Sequence, residues 1–303
     1  MAKITVCTVA HEGARAYLSE WLDSVIRESS DFSGETNAFI ILDGLTDSQE
    51  FCSKLARHVP TECVEAAPGT PAKMRATLLR HAPRLDADAL VILDADDVFA
   101  PRALSAHWHT LAGFDVSYGD IQPIDAQGGI AGPPMFEGVA VPATVSSPAA
   151  IYRRNFLGFG NSAIRCSSLT DRACAIPDNV TATDWWFFTI LLQDGRRGAC
   201  ANQTVTHYRM HEQNILGARP NPSITAVLRR CEIVRQHYSA LPDYGAIAEY
   251  DSAVSCLANE LVSSGADMAD AIAHACEQPG VWFDDIARLT DSYLPKAQQS
   301  HVI

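Results

Sequence analysis

The chain has no run of 18 consecutive apolar residues, so no segment reads as a bilayer-spanning helix. It has no basic stretch longer than a pair. Its 23 Lys and Arg against 36 Asp and Glu give a net charge of −13, which argues against nucleic acid or an anionic membrane as partner. It has no CxxC, and its nine cysteines are odd in number and scattered. That pattern implies reduced thiols serving as small buried hydrophobes in a cytoplasmic protein, not a disulfide scaffold or a zinc site. No signal peptide is expected, because His11, Glu12 and Arg15 interrupt the opening apolar run. Repeats and low-complexity segments are absent as well. What remains is 303 residues, 47% hydrophobic and 19% charged, an ordinary globular composition with room for one large or two modest domains.

The first hundred residues alternate strand and helix patterns. Ile4 to Val9, Phe39 to Leu42, Val64 and Leu90 to Leu93 read as strands. Tyr17 to Ile26, Ser48 to His58 and Pro71 to His81 read as the helices between them. This order predicts an α/β fold with a mainly parallel central sheet flanked by helices. From Gly119 to Asn161 the chain is rich in Gly and Pro and reads as an irregular functional loop. Asp184 to Leu192 reads as a very apolar helix closed by Asp194-Gly195. Beyond Pro222 the pattern is helical through Ile224 to Tyr238, Tyr244 to Ser263 and Met268 to Cys276. The Gly and Pro cluster at Gly217 to Pro222 suggests one domain over 1–217 and a helical C-terminal region over 218–303.

One junction concentrates chemistry. Ala89 to Asp97 reads ALVILDADD, a buried-strand pattern stopping at three carboxylates within four positions. Such acids repel one another and lose hydration unless a cation sits among them. Mg²⁺ and Mn²⁺ take carboxylate oxygens together with substrate phosphates, and open α/β sheets bind ligands at their strand ends. The plainer alternative is a solvated turn in which Asp97 caps a following helix.

Further motifs fall in order along the chain: YLSEWLDSV at Tyr17 to Val25, LDGLTD at Leu42 to Asp47, AKMRATLL at Ala72 to Leu79, LDADD, RRNFLGFGNS at Arg153 to Ser162, TDWWFFTILL from Thr183, and YRMHEQNILG at Tyr208 to Gly217. Together they resemble the family 2 inverting glycosyltransferases of the GT-A fold. The resemblance implies a metal-dependent hexosyltransferase that moves a sugar from a nucleotide-sugar donor to a hydroxyl of a sugar or glycoconjugate acceptor, in surface polysaccharide or glycoconjugate synthesis. It implies that Asp96 and His211 hold Mn²⁺ or Mg²⁺, that Asp94 reaches the ribose and that Asp43 lies beside the base. Arg75 and Arg209 would neutralise phosphate charge, Arg having the matching fork geometry. Asp184 would be the general base that takes the acceptor proton, its basicity raised by partial desolvation at the mouth of an apolar helix. An N-cap role for Asp184 is the alternative. Trp185 or Trp186 would stack on a sugar ring.

The chain departs from the family pattern at Leu42, where an acidic or polar residue is usual, and at Thr183, where Glu is usual. Asp47 is then as good a candidate for capping a helix as for touching nucleotide. Two other readings follow: a transferase-like protein that binds nucleotide sugar without catalysis, and an aspartyl phosphotransferase built on Asp94-x-Asp96. The helical tail after Pro222 is expected to position the acceptor or to form a homodimer surface, leaving donor binding to the first 217 residues.

Overall fold

The computed structural model describes residues 1–66, 69–81, 84–211, 214 and 220–295. In the first third, β1 (Lys3–His11), β2 (Glu35–Asp43), β3 (Thr61–Glu65) and β4 (Ala89–Ile92) lie parallel in the order β3-β2-β1-β4. Their connections carry α1 (Leu18–Asp31), α2 (Ser48–Ala56) and α3 (Pro71–His81). Side chains alternate between the two faces of the sheet, and both faces are covered. Ile4, Val6, Ile40, Leu42, Val91 and Leu93 pack against α1, α2 and α4 (Ala103–Leu111). Cys7, Phe39, Ile41, Leu90 and Ile92 face α3 and α5 (Thr183–Gln193). Leu42, 6% exposed, points into this core.

The other half of the sheet is mixed. β8 (Ser162–Arg165) runs antiparallel between β4 and β6 (Val116–Ile124), and β9 (Gly198–Arg209) lies parallel to β6. Short β5 (Val98–Phe99) and β7 (Thr144–Val145) pair antiparallel with β9. The sheet is thus mainly parallel and nine-stranded, as the fold expectation requires, with a less regular second half. β6 corrects the expectation of irregular chain from Gly119. It continues to Ile124 across a register shift, and Gly119 is needed because a Cβ there would lie 2.8 Å from the Gln203 carbonyl. β9 had no periodic signal, since its sequence GACANQTVTHYR mixes small and polar residues.

Nine of the eleven residues of α5 are buried, which explains its all-round apolar sequence. Its cover comes partly from the C-terminal helices α6 (Ile224–Ala240), α7 (Ala248–Ser264), α8 (Ala269–Glu277) and α9 (Asp284–Thr290). Trp185 stacks on His237 of α6 at 4.1 Å and on Phe283, just before α9, at 4.7 Å between centroids. The helical region therefore shares a hydrophobic core with α5 and the sheet. The expected boundary at 217/218 lies outside the described residues.

The expectation of nine reduced, buried thiols is corrected. Cys52 of α2 and Cys63 of β3 are joined as a disulfide, brought to a Cα separation of 6.6 Å by the short turn between those elements. Cys256 is exposed. Among the described residues no helix is long and apolar enough to cross a membrane.

Candidate active site

The carboxyl ends of β1, β2 and β4 adjoin, and the register sets His11 opposite Asp43. The loop from Asp94 to Asp97 follows β4, and the N-terminus of α5 and the end of β9 close over it. The result is a cleft of about 500 Å³ whose lining includes Asp43, Arg75, Asp94, Asp96, Asp184 and His211. Six of the seven residues singled out from sequence therefore share one cavity, at the strand ends where open α/β sheets place ligands.

The acidic loop divides its three carboxylates among three environments. Asp94 pairs with Arg75, which projects from α3. Burial works against charge on the Arg75 guanidinium, but Asp94, Asp184 and Asp96 more than restore it, so it stays cationic. Asp96 Oδ2 lies 2.7 Å from His211 Nε2. Asp97 caps no helix: the next helix begins at Ala103, and Asp97 is 1% exposed. Its Oδ1 accepts the Arg209 backbone N–H at 2.9 Å, while Oδ2 is buried with no partner among the described residues. Burial, followed by repulsion from Asp96 and Asp94, pushes its carboxyl well above the usual range.

Arg209 lies behind the cleft and not in it. It is fully buried, donating to the carbonyls of Asp96 at 2.8 Å, Asp125 at 3.3 Å and Ala126 at 3.2 Å, and to Glu20 Oε2 at 2.7 Å. Its guanidinium sits 4.7 Å over the Tyr17 ring, and Tyr17 stacks on His211 at 5.4 Å. Phosphate contact by Arg209 is thus replaced by a brace: Tyr17 and Glu20 of the YLSE segment hold Arg209, which holds the acidic loop. Asn214 Oδ1 accepts the His211 backbone N–H at 2.6 Å and steadies the same end of β9. Asp47 stands at the N-cap position of α2 but makes no capping bond, its carboxylate pairing instead with Arg15 at 2.5 Å.

Asp184 lies in the first turn of α5, and Ala182 occupies the N-cap position. Its Oδ1 accepts the Trp185 backbone N–H at 2.8 Å, and Asn155 Nδ2 approaches its Oδ2 at 3.5 Å. Burial pushes its carboxyl up to about 6, against the pull of the Trp185 N–H and the Arg75 charge. Trp185 and Trp186 are 0% and 4% exposed, with indoles donating to the carbonyls of Ile151 and Ala240. They belong to the core and cannot meet a sugar, because a helix this fully packed leaves no free face.

Sequence reasoning passed over Asn155 and Trp282. Asn155 lies inside the RRNFLGFGNS segment; its backbone N–H donates to the Trp282 carbonyl at 2.8 Å, and the Trp282 side chain lines the cleft. The two arginines of that segment reach the C-terminal region, Arg153 to Asp291 at 2.6 Å and Arg154 to Asp284 at 3.8 Å. Polar residues at 153–155 were a signal; nothing in the sequence linked them to 282.

Among the described residues no group of three His, Cys, Asp or Glu is arranged to hold a metal on protein ligands alone. The Asp96–His211 pair, in the same cleft as Asp97, whose Oδ2 is buried with no partner among the described residues, nevertheless fits a hard divalent ion that keeps waters and takes phosphate oxygens.

No protein-family model matches the chain, and no curated protein matches it. Solved structures do. S. aureus TarS 1-349 is 14% identical with a TM-score of 0.56, the match covering 96% of this chain and 90% of that one. The same protein with UDP-GlcNAc gives a TM-score of 0.54 over the same shares at 14% identity. The mannosyltransferase PcManGT from Pyrobaculum calidifontis, in complex with GDP-Man and Mn²⁺, is 17% identical with a TM-score of 0.57, covering 96% of this chain and 84% of that one. At such identities the likeness is one of fold: the chain has the α/β architecture of these glycosyltransferases, with its mainly parallel sheet and C-terminal helices.

Proposed function

We propose that the protein is a metal-dependent inverting glycosyltransferase of the family 2, GT-A kind, a hexosyltransferase using a nucleotide-sugar donor and a sugar or glycoconjugate acceptor. Surface polysaccharide or glycoconjugate synthesis at the cytoplasmic side is the setting in which such a reaction would serve. The fold neighbours bind UDP-GlcNAc and, with Mn²⁺, GDP-Man, which supports this reading.

The observation that carries it is Asp184, a carboxyl raised to about 6 by burial, in the same cleft as the Asp96–His211 pair. In the reaction the acceptor oxygen bonds to the anomeric carbon, the carbon–oxygen bond to the diphosphate breaks, and the acceptor proton passes to Asp184. A base near neutral pKa is both ionised and strong enough for that task. Asp96 and His211 would hold Mn²⁺ or Mg²⁺, which when bound with the diphosphate supplies Lewis-acid stabilisation of the leaving group. Arg75, in the same cleft, would supply positive charge to the diphosphate. Asp94, held by Arg75, is the candidate for the ribose hydroxyls, and Asp43 at the end of β2 for the base.

The test is release of nucleoside diphosphate from a panel of UDP- and GDP-sugars by the purified protein. The proposal expects release with at least one donor, dependent on Mn²⁺ and stopped by chelator. Tight, metal-dependent binding with no release, with or without acceptor sugars, would instead establish a non-catalytic nucleotide-sugar-binding protein.

A further inference from the structure

Trp185 and Trp186 are the aromatics that sequence marks for a sugar ring, and both are buried. The cleft instead receives Trp282, from the loop between α8 and α9. Its position is fixed by its surroundings. The Trp282 carbonyl accepts the Asn155 N–H at 2.8 Å, and the following residue, Phe283, takes a left-handed backbone (φ 70°) while its ring stacks on Trp185. The indole edge lies against Gly158: a Cβ there would stand 2.9 Å from Trp282 Cη2 and 3.0 Å from Cζ3. Gly158 therefore leaves the space that the ring fills. The Trp282 indole N–H donates to none of the described residues, whereas those of Trp21, Trp185 and Trp186 each donate to a backbone carbonyl.

Trp282 and Asp184 line the same cleft. Asn155 touches both partners, its backbone N–H on the Trp282 carbonyl and its side chain 3.5 Å from Asp184 Oδ2. An acceptor must present a hydroxyl to Asp184, and a pyranose has an apolar C–H face with hydroxyls around its rim. A rigid, half-buried indole with a spare N–H offers that ring a stacking surface and one hydrogen bond. The cleft carries the carboxyl groups of Asp43, Asp94, Asp96 and Asp184 around the single guanidinium of Arg75, an excess of acid that disfavours an anionic acceptor unit. We propose that Trp282 is the platform on which a neutral pyranose unit of the acceptor stacks, so that the C-terminal region selects the acceptor; this rests on the glycosyltransferase reading above.

The test uses full-length protein saturated with Mn²⁺ and either UDP or GDP. Methyl glycosides of glucose, galactose, mannose and N-acetylglucosamine are titrated, followed by saturation-transfer NMR. For at least one glycoside, the expected result is transfer concentrated on the C–H face. Affinity should be on the order of tenfold weaker in Trp282→Ala, the loss of one aromatic contact of about 1.4 kcal/mol, and largely restored in Trp282→Phe. Gly158→Ala, which displaces the ring without removing it, should weaken the same glycoside while the protein still binds the nucleotide. Equal glycoside affinity in wild type and Trp282→Ala overturns the proposal, as does the absence of glycoside binding to a wild-type protein that binds nucleotide. Weakened binding of a nucleotide sugar with unchanged glycoside affinity overturns it too, assigning the ring to the donor's sugar. Failure of the wild type to bind any nucleotide is a different outcome: it removes the glycosyltransferase reading itself.

Discussion

The two walls of the cleft are built in opposite ways. The wall proposed for the donor comes from strand ends and the loops directly after them: Asp43 ends β2, Asp94 to Asp97 follow β4, and His211 follows β9. Each side chain there is placed by its own strand. The facing wall joins Asn155, Gly158, Asp184 and Trp282, which no single element carries. It depends on α5 and the 155–161 segment packing against the C-terminal region. One wall is a property of the sheet; the other is a property of the whole core.

Removing the helical tail should break that contrast with the largest effect. Sequence alone suggests that a protein cut near Pro222 keeps donor binding. In the fold, the cut strips His237, Tyr238 and Phe283 from Trp185 and exposes much of α5. Loss of several large aromatic contacts at about 3–5 kcal/mol each exceeds the stability of most domains. The truncated chain is expected to be insoluble or to lack a cooperative melting transition by calorimetry. A soluble, cooperatively melting fragment that binds nucleotide would show the two walls to be independent.

Asp96→Asn addresses the other wall and should leave the core alone. Asp96 is partly exposed and contributes to no apolar cluster, so the melting temperature should change little. Mn²⁺-dependent affinity for UDP or GDP should be lost, read by titration calorimetry with and without chelator. Unchanged, chelator-insensitive affinity would remove the metal from the account.

A smaller effect sharpens the comparison from inside the core. His237 is fully buried against Trp185, its two ring nitrogens have no hydrogen-bond partner among the described residues, and burial lowers its pKa from 6.5 to about 3. The unfolded chain takes up a proton between those values that the fold refuses. Stability therefore falls as pH drops from 6.5 towards 3. His237→Phe keeps the stack and removes the titration, so acid unfolding monitored by circular dichroism should move to lower pH. His107, lowered to about 3 by the same burial, still contributes its share. An unmoved acid transition would mean that His237 is hydrated.

How much was legible follows from the same division. A β-branched run located β1, strand-then-acid patterns located β2 and β4, and α3 begins and ends where its sequence pattern does, at Pro71 and His81. Asp43, Asp94, Asp96 and His211 stand at or just after strand ends and Asp184 in the first turn of a helix, places a sequence pattern can mark, and with Arg75 they line one cleft. Arg209 was misjudged because burial is invisible in a motif, and a guanidinium that could bind phosphate serves equally well to tie a loop. β9 carried no periodic pattern, since a strand flanked on both edges by β6, β5 and β7 tolerates small and polar residues. Trp282 lies 127 positions from Asn155, and the Cys52–Cys63 bond depends on a turn geometry that scattered cysteines do not reveal.

Asp184 is proposed as the base that takes the acceptor proton. The most direct measurement is single-turnover transfer by Asp184→Asn beside the wild type, with donor affinity and melting temperature recorded on the same preparations. The wild-type rate should rise with pH through about 6, where burial sets the carboxyl, because only the ionised form accepts a proton. The Asn variant should lose on the order of 10²–10⁴ in rate, and the rise near 6 with it, while donor affinity and melting temperature hold. Near wild-type turnover in the variant, or turnover that falls only as far as its melting temperature does, would contradict the account and leave Asp184 a residue of the helix terminus.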